Sequence, residues 1–162
     1  MIPWLEIARR YLGTKEIPGS KSNPIILQWI TRFRGWVRSF YTSDDIPWCA
    51  LFVGGVLSEA GLSHTNSLAA KSYETYGIAL TEPSLGCIMV FTRNGGGHVG
   101  FYLGERADAY RILGGNQSDA VTETWISKAR LTATRWPAEW GLPLTGRIAL
   151  ANNGQPVSTR EA

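Results

Sequence analysis

The chain has 162 residues, 44% of them hydrophobic and 18% charged, with a formal net charge of +3 and a pI near 9.0. That length suits one domain with a real core and is short for two, and the composition is that of a globular protein. The charge is mildly basic without any run of Lys or Arg, so it fits a polyanionic surface such as a cell wall and gives no reason to expect a nucleic-acid partner.

The first ten residues, Met1 to Arg10, lack a basic segment followed by an apolar one, and no stretch approaches the length needed to cross a bilayer. The expectation is a protein made in the cytoplasm without an ordinary signal peptide, monomeric and without stable membrane association. Trp4, Leu5, Ile7, Ala8, Tyr11 and Leu12 recur at helical spacing up to Gly13. A turn around Glu16 to Ser20 follows, and Asn23-Pro24 then reads as an N-cap and first-turn proline opening a second helix through Phe33. Residues 35–43 read as loop.

Asp44 and Asp45 are N-cap candidates for a third helix, Pro47 suits its first turn, and Leu51, Phe52, Val53, Val56, Leu57 and Ala60 give it an apolar face ending at Gly61. Cys49 therefore falls in the first turn, where unpaired backbone N–H groups and the helix dipole favour a thiolate. The plainer reading is a small apolar residue filling the core. A polar turn with His64 leads to a short helix carrying Leu68, Ala69, Tyr73 and Tyr76. From Gly86 onward the pattern changes to short β-rich runs at 87–91, 98–103, 110–113, 121–126 and 130–136, separated by Gly, Asn, Asp and Ser turns. Helices first and an antiparallel sheet second make an α+β fold. Residues 4–150 form the expected domain, and 151–162 read as a flexible tail.

A cysteine nucleophile needs a base and a group to orient that base. Only two histidines are present. His98 opens a strand after Gly95-Gly96-Gly97, with little side-chain bulk around it, whereas His64 sits in a polar loop and reads as a bystander. If the strand of His98 pairs with the next as a hairpin, Asn116 or Gln117 comes near the imidazole and can fix its tautomer, although Gly114-Gly115-Asn116 is also ordinary turn chemistry. Cys87 reads as a strand residue, and in a reducing cytosol both cysteines stay free thiols.

Pro47-Trp48-Cys49-Ala50-Leu51-Phe52-Val53, Gly97-His98-Val99-Gly100-Phe101-Tyr102 and Gly114-Gly115-Asn116-Gln117 resemble, in order, three blocks of the NlpC/P60 and CHAP superfamily of papain-like cysteine hydrolases. Leu12 to Gly19 and Arg135-Trp136-Pro137 further resemble a phage endolysin-like subfamily. The resemblance implies a papain-like fold, N-terminal helices on a C-terminal antiparallel sheet, and cleavage of a peptidoglycan amide as an endopeptidase or N-acetylmuramoyl-L-alanine amidase. Cys49 carries over as nucleophile, His98 as base and Asn116 as the polar third member, with Gln117 the alternative. The CHAP branch often has a glutamate where this chain has Gly114. Glu16 and Trp48 are further candidates for lining the site, packing being the commoner fate of Trp48. No cofactor or metal is implied, and no acidic cluster has calcium-loop spacing. An antibacterial effector with the same chemistry, or a non-catalytic wall-binding or phage-tail module, are the competing readings.

Overall fold

The computed structural model describes residues 1–18, 22–40 and 47–161. The helix that carries Cys49 is its centre. Cys49 through Leu57 are all buried in α4 (Cys49–Glu59), so this helix is apolar all round and has to be covered on every side. Helices α1 (Pro3–Arg10) and α2 (Pro24–Trp29) cover one side, and a sheet covers the other.

The entries to these helices follow from single residues. Pro3 supplies the fixed φ of the first turn of α1, and Gly13, at φ 93, turns the chain out after it. Asn23 caps α2 as expected, its side chain accepting the Ile25 N–H at 2.8 Å. Two expectations are corrected at this end of the chain. The second helix stops at Trp29 and tightens into a 3-10 turn over Ile30–Arg32, and part of the expected loop is a short helix, α3 (Gly35–Phe40), whose Trp36 and Phe40 stack with centroids 5.0 Å apart. Asp44 and Asp45 lie outside the described residues. Trp48 occupies the N-cap position of α4 without a side-chain cap, so Pro47 stands just before the helix instead of in its first turn.

Six strands form one antiparallel sheet in the order β1-β6-β2-β3-β4-β5: β1 (Ile78–Ala79), β2 (Ile88–Arg93), β3 (Gly96–Glu105), β4 (Ala109–Gln117), β5 (Ala120–Ser127) and β6 (Leu131–Trp136). The β-rich runs of the sequence are all strands here. The two-residue β1 has no run of its own and exists because Ile78 and Ala79 find Trp136 and Arg135. The expected helix around Tyr73 is a 3-10 segment, Ala70–Thr75. Helices and antiparallel sheet are thus mixed as an α+β fold, with the fully buried Trp4, Trp48, Trp136, Tyr73, Phe52, Phe91 and Phe101 between them.

The C-terminal segment, expected to fray, is laid along the sheet through residue 161. Ile148 and Leu150 bond to Glu105, the Ser158 N–H donates to the Trp125 carbonyl at 2.7 Å, and the Ser118 N–H donates to the Arg160 carbonyl at 2.7 Å. Backbone groups left unpaired at the ends of β3, β4 and β5 take this segment as their partner. Beneath it Glu105 gathers Lys128 (2.8 Å), Arg147 (2.9 Å) and the Tyr102 hydroxyl (2.6 Å). Burial pushes the Glu105 carboxyl up, but these donors hold it below the usual range.

The contact of α4 with β4 sets the depth of the site. A Cβ on Gly115 would lie 2.7 Å from the Phe52 Cβ and 2.8 Å from Trp48 Cζ3, so only glycine lets the strand approach the helix start this closely. Gly115→Ala is expected to lose about 1–3 kcal/mol in urea unfolding. Gly141→Ala, where an added Cβ meets nothing within 4 Å, should change stability by less than about 0.5 kcal/mol.

Candidate active site

Cys49 is the first residue of α4 and is 4% exposed. The first intrahelical bond is that of Phe52 N–H to the Trp48 carbonyl, so the N–H groups of Cys49, Ala50 and Leu51 precede the ladder. The effect on the thiol differs from the expectation of an easily formed thiolate. Burial pushes the Cys49 thiol up, and this outweighs the backbone N–H groups of Val99, Ala50 and Cys49 and the charge of Arg93, which pull it down. Cys49 is therefore a neutral thiol at rest. The second cysteine, Cys87, is also free and buried, and burial raises it to about 12.

Val99, whose backbone N–H pulls the thiol down, is the residue after His98. His98 is fully buried on β3, opposite Phe91 of β2. Its Nε2 lies 3.0 Å from Oε1 of Gln117, at the end of β4. The direction of that bond is decided by the rest of the Gln117 amide. Gln117 Nε2 donates to the carbonyls of Thr122 (2.7 Å) and Ile112 (3.3 Å), which leaves Oε1 as an acceptor. His98 must then carry its proton on Nε2 and present Nδ1 as a lone pair. Nδ1 is buried and has no hydrogen-bond partner among the described residues.

Burial pushes the imidazole down to about 4, against the upward pull of the Gln117 hydrogen bond and the Glu161 carboxylate; Arg130 and Arg93 add to the downward shift. Glu161 belongs to the C-terminal segment. It bridges to Gln117 in antiparallel fashion and forms an ion pair with Arg130. The segment thus ends against the group that holds the imidazole.

The structure puts Gln117, and not Asn116, on His98. The reason lies at Gly114. A Cβ there would be 2.5 Å from Gln117 Oε1 and 3.3 Å from His98 Nε2, so the space beside the imidazole is filled by the Gln117 amide reaching back across a position that has no side chain. Asn116, at φ 57, turns elsewhere. With its amide in the orientation that satisfies both neighbours, its nitrogen donates to Glu16 Oε1 and its oxygen accepts the Trp48 N–H, both at 3.2 Å. Glu16 Oε1 also accepts the Trp48 indole N–H at 2.7 Å. Three residues named from the sequence therefore form one brace behind Cys49, tying the end of β4 to the residue that precedes it. Trp48 is fully buried and packs on Trp29, with ring centroids 5.9 Å apart. Glu16 is set by the pairing of its own segment with β5, where Lys15 bridges to Ala120.

Beside Cys49 opens a cleft of about 250 Å³, lined by Pro47, Leu68, Ala69, Ala70, Lys71, Arg93, Gly96 and Gly97. Larger cavities lie elsewhere, one of about 680 Å³ around Arg106 and Asp108 and one of about 620 Å³ around Arg130 and Glu161. Neither contains Cys49 or His98. His64 stands apart from the site. Its Nδ1 accepts the Asn66 N–H at 3.0 Å and its ring packs on Phe33, so it shapes the loop that leads to the cleft wall. Lys71 and Arg93 were not singled out from the sequence, because a lone cation in a turn or helix carries no pattern. Among the described residues no three His, Cys, Asp or Glu side chains gather as a metal-holding group, and no helix is long and apolar enough to cross a membrane.

No protein-family model matches the chain. A curated relative, the tRNA N6-adenosine threonylcarbamoyltransferase of Granulibacter bethesdensis, is 33% identical over 118 residues. That match takes in 62% of this chain and 31% of that protein, so the chain spans less than a third of its relative. Among solved structures, a lipoprotein of the NLP/P60 family from Staphylococcus aureus superposes over 82% of this chain and 40% of its own, with a TM-score of 0.47 and 20% identity.

Two outcomes test the geometry of the imidazole. Because the folded pKa of His98 is depressed to about 4, the unfolded chain takes up this proton first on acidification. Stability is then intact above about pH 6.5 and is lost as pH falls from there toward 4. His64, also lowered by burial, contributes to the same loss, so urea unfolding of His98→Gln beside the unmodified protein isolates the His98 share as a shallower slope. In Gly114→Ala the added methyl displaces the Gln117 amide, and the protected Nε2–H signal of His98 should vanish from long-range ¹H–¹⁵N spectra. Its survival would mean that Gln117 reaches the ring by another route.

Proposed function

We propose that this chain is a cysteine hydrolase that cleaves an amide bond in the stem peptide of peptidoglycan. The observation that carries the reading is the neutral His98, its Nε2–H fixed by Gln117 and its Nδ1 without a partner among the described residues, next in sequence to Val99, whose N–H acts on the Cys49 thiol. The three sequence blocks that resemble NlpC/P60 and CHAP hydrolases supply the same residues. They also supply the substrate class.

In this reading Cys49 is the nucleophile, His98 the base and Gln117 the third member, while Asn116, Glu16 and Trp48 position the helix start. The resting pair is neutral, so thiol deprotonation accompanies attack. Nδ1 takes the thiol proton as sulfur adds to the amide carbon, and Gln117 steadies the imidazolium that forms. The N–H groups at the start of α4 are the donors available for the developing oxyanion. His98 then gives its proton to the departing amine, and the thioester is hydrolysed by a water that neutral His98 activates. Peptidoglycan is accordingly the partner, reached outside the cytoplasm, and lysis by a phage or prophage is the setting that the subfamily resemblance favours.

The test is mass spectrometry of purified peptidoglycan after digestion. The unmodified protein should release new amine and carboxyl ends at one bond type, and Cys49→Ala should release none. Gln117→Ala is expected to lower kcat/KM by about a hundredfold or more, because the base loses its fixed tautomer. Asn116→Ala should cost less than Gln117→Ala. Equal digestion by Cys49→Ala sinks the hydrolase reading, and the reverse order of the last two variants sinks the assignment of Gln117.

A further inference from the structure

The cleft beside Cys49 has a charge pattern that the three-residue chemistry does not use. Two cations line it and, among the described residues, no acid does: Lys71 from the 3-10 segment Ala70–Thr75, and Arg93 from the end of β2. Neither has an ion-pair partner among the described residues, whereas Glu105, Glu161 and Asp108 each engage an arginine or a lysine elsewhere.

Arg93 is held in place. Its Nε donates to the Gly97 carbonyl at 3.0 Å and its Nη1 to the Asn94 carbonyl at 3.3 Å, which pins the guanidinium over the β2–β3 turn. Both acceptors are neutral. The stem of Lys71 lies against the same strand start, its Cγ 3.1 Å from the position of a Cβ on Gly97. Two positive groups thus line the same cleft above the glycines of the strand start. The remaining walls, Pro47, Leu68, Ala69 and Ala70, are apolar, so an anion between the cations is partly shielded from water and bound more strongly than on an open surface.

We propose that Arg93 and Lys71 hold a free carboxylate of the substrate on the residue next to the scissile amide. The proposal rests on the hydrolase reading and narrows it to stem peptides that are anionic at that residue. Scale supports adjacency. A space of about 250 Å³ is roughly 6–8 Å across, which at about 3.5 Å per extended residue leaves room for one or two residues from the sulfur. A guanidinium and an ammonium each donate charge-assisted hydrogen bonds to a carboxylate, and a carboxamide at the same place returns only its oxygen and presents N–H groups to two cations. The cleft therefore selects against amidated stems.

The experiment uses synthetic stem peptides that differ only in carboxylate or carboxamide at that residue. Each is offered to the unmodified protein and to Arg93→Ala, Lys71→Ala and Arg93→Lys, with circular dichroism and melting curves establishing that the variants fold. The unmodified protein should favour the carboxylate form by about tenfold or more in kcat/KM, carried mainly by KM. The alanine variants should raise KM for the carboxylate form and bring the two peptides within about threefold, and Arg93→Lys should restore part of the difference. Calorimetric binding to Cys49→Ala gives the same comparison without turnover. Cleavage of both peptides alike overturns this inference and leaves the hydrolase reading standing, as does an equal loss on both peptides in the alanine variants. Failure to cleave either peptide or whole peptidoglycan overturns the hydrolase reading and this inference with it.

Discussion

The site depends on one side-chain amide having both its ends committed. Gln117 gives its nitrogen to two backbone carbonyls of the β4–β5 hairpin and its oxygen to His98. Were the nitrogen free, the amide could rotate and the ring could adopt either tautomer. Because the nitrogen is spent on the sheet, ring orientation, tautomer and the open Nδ1 all follow from backbone geometry. An amide partner has a further effect that a carboxylate would not. It orients the imidazole without adding a full negative charge, and burial is left free to keep the ring neutral.

A second layer of order stands behind the first. Asn116 faces away from the ring and joins Glu16 to the backbone of Trp48. Neighbouring residues at the end of one strand thus serve two elements, Gln117 the β-sheet side of the site and Asn116 the helix side. Their separation is set by the left-handed φ of Asn116, repeated at Ser118 and Asp119 as the hairpin turns. The positions that carry this conformation are asparagine, serine and aspartate, short polar residues that tolerate it when their side chains find local partners.

Much of this was legible from sequence because it is periodic or punctuated. The Asn23-Pro24 helix start, the apolar α4, the alternating strands and the glycine-flanked His98 announce themselves over a few residues. The order of helices before an antiparallel sheet followed from the same signs, and so did a helix start for Cys49 and a strand start for His98. What was not legible depended on distance in space. The choice between Asn116 and Gln117 turns on an absent side chain at Gly114, which only the folded hairpin brings beside the imidazole. The thiol was expected to ionise readily from its place in the first turn, and burial by elements far along the chain reverses that sign. The short α3 and the two-residue β1 are too brief to show a period. The seating of the C-terminal segment depends on strand ends that no local pattern reveals.

The burial of Cys49 also bears on endurance. Sulfur is attacked by peroxide or oxidised to a disulfide in proportion to its thiolate character and its exposure. Cys49 at rest has little of either: its thiol is neutral, and 4% of the residue is exposed. A thiol that is neutral and enclosed is spared the slow chemical ageing to which a standing thiolate is subject. The sheet and helices that enclose Cys49 therefore also shield its sulfur from oxidation.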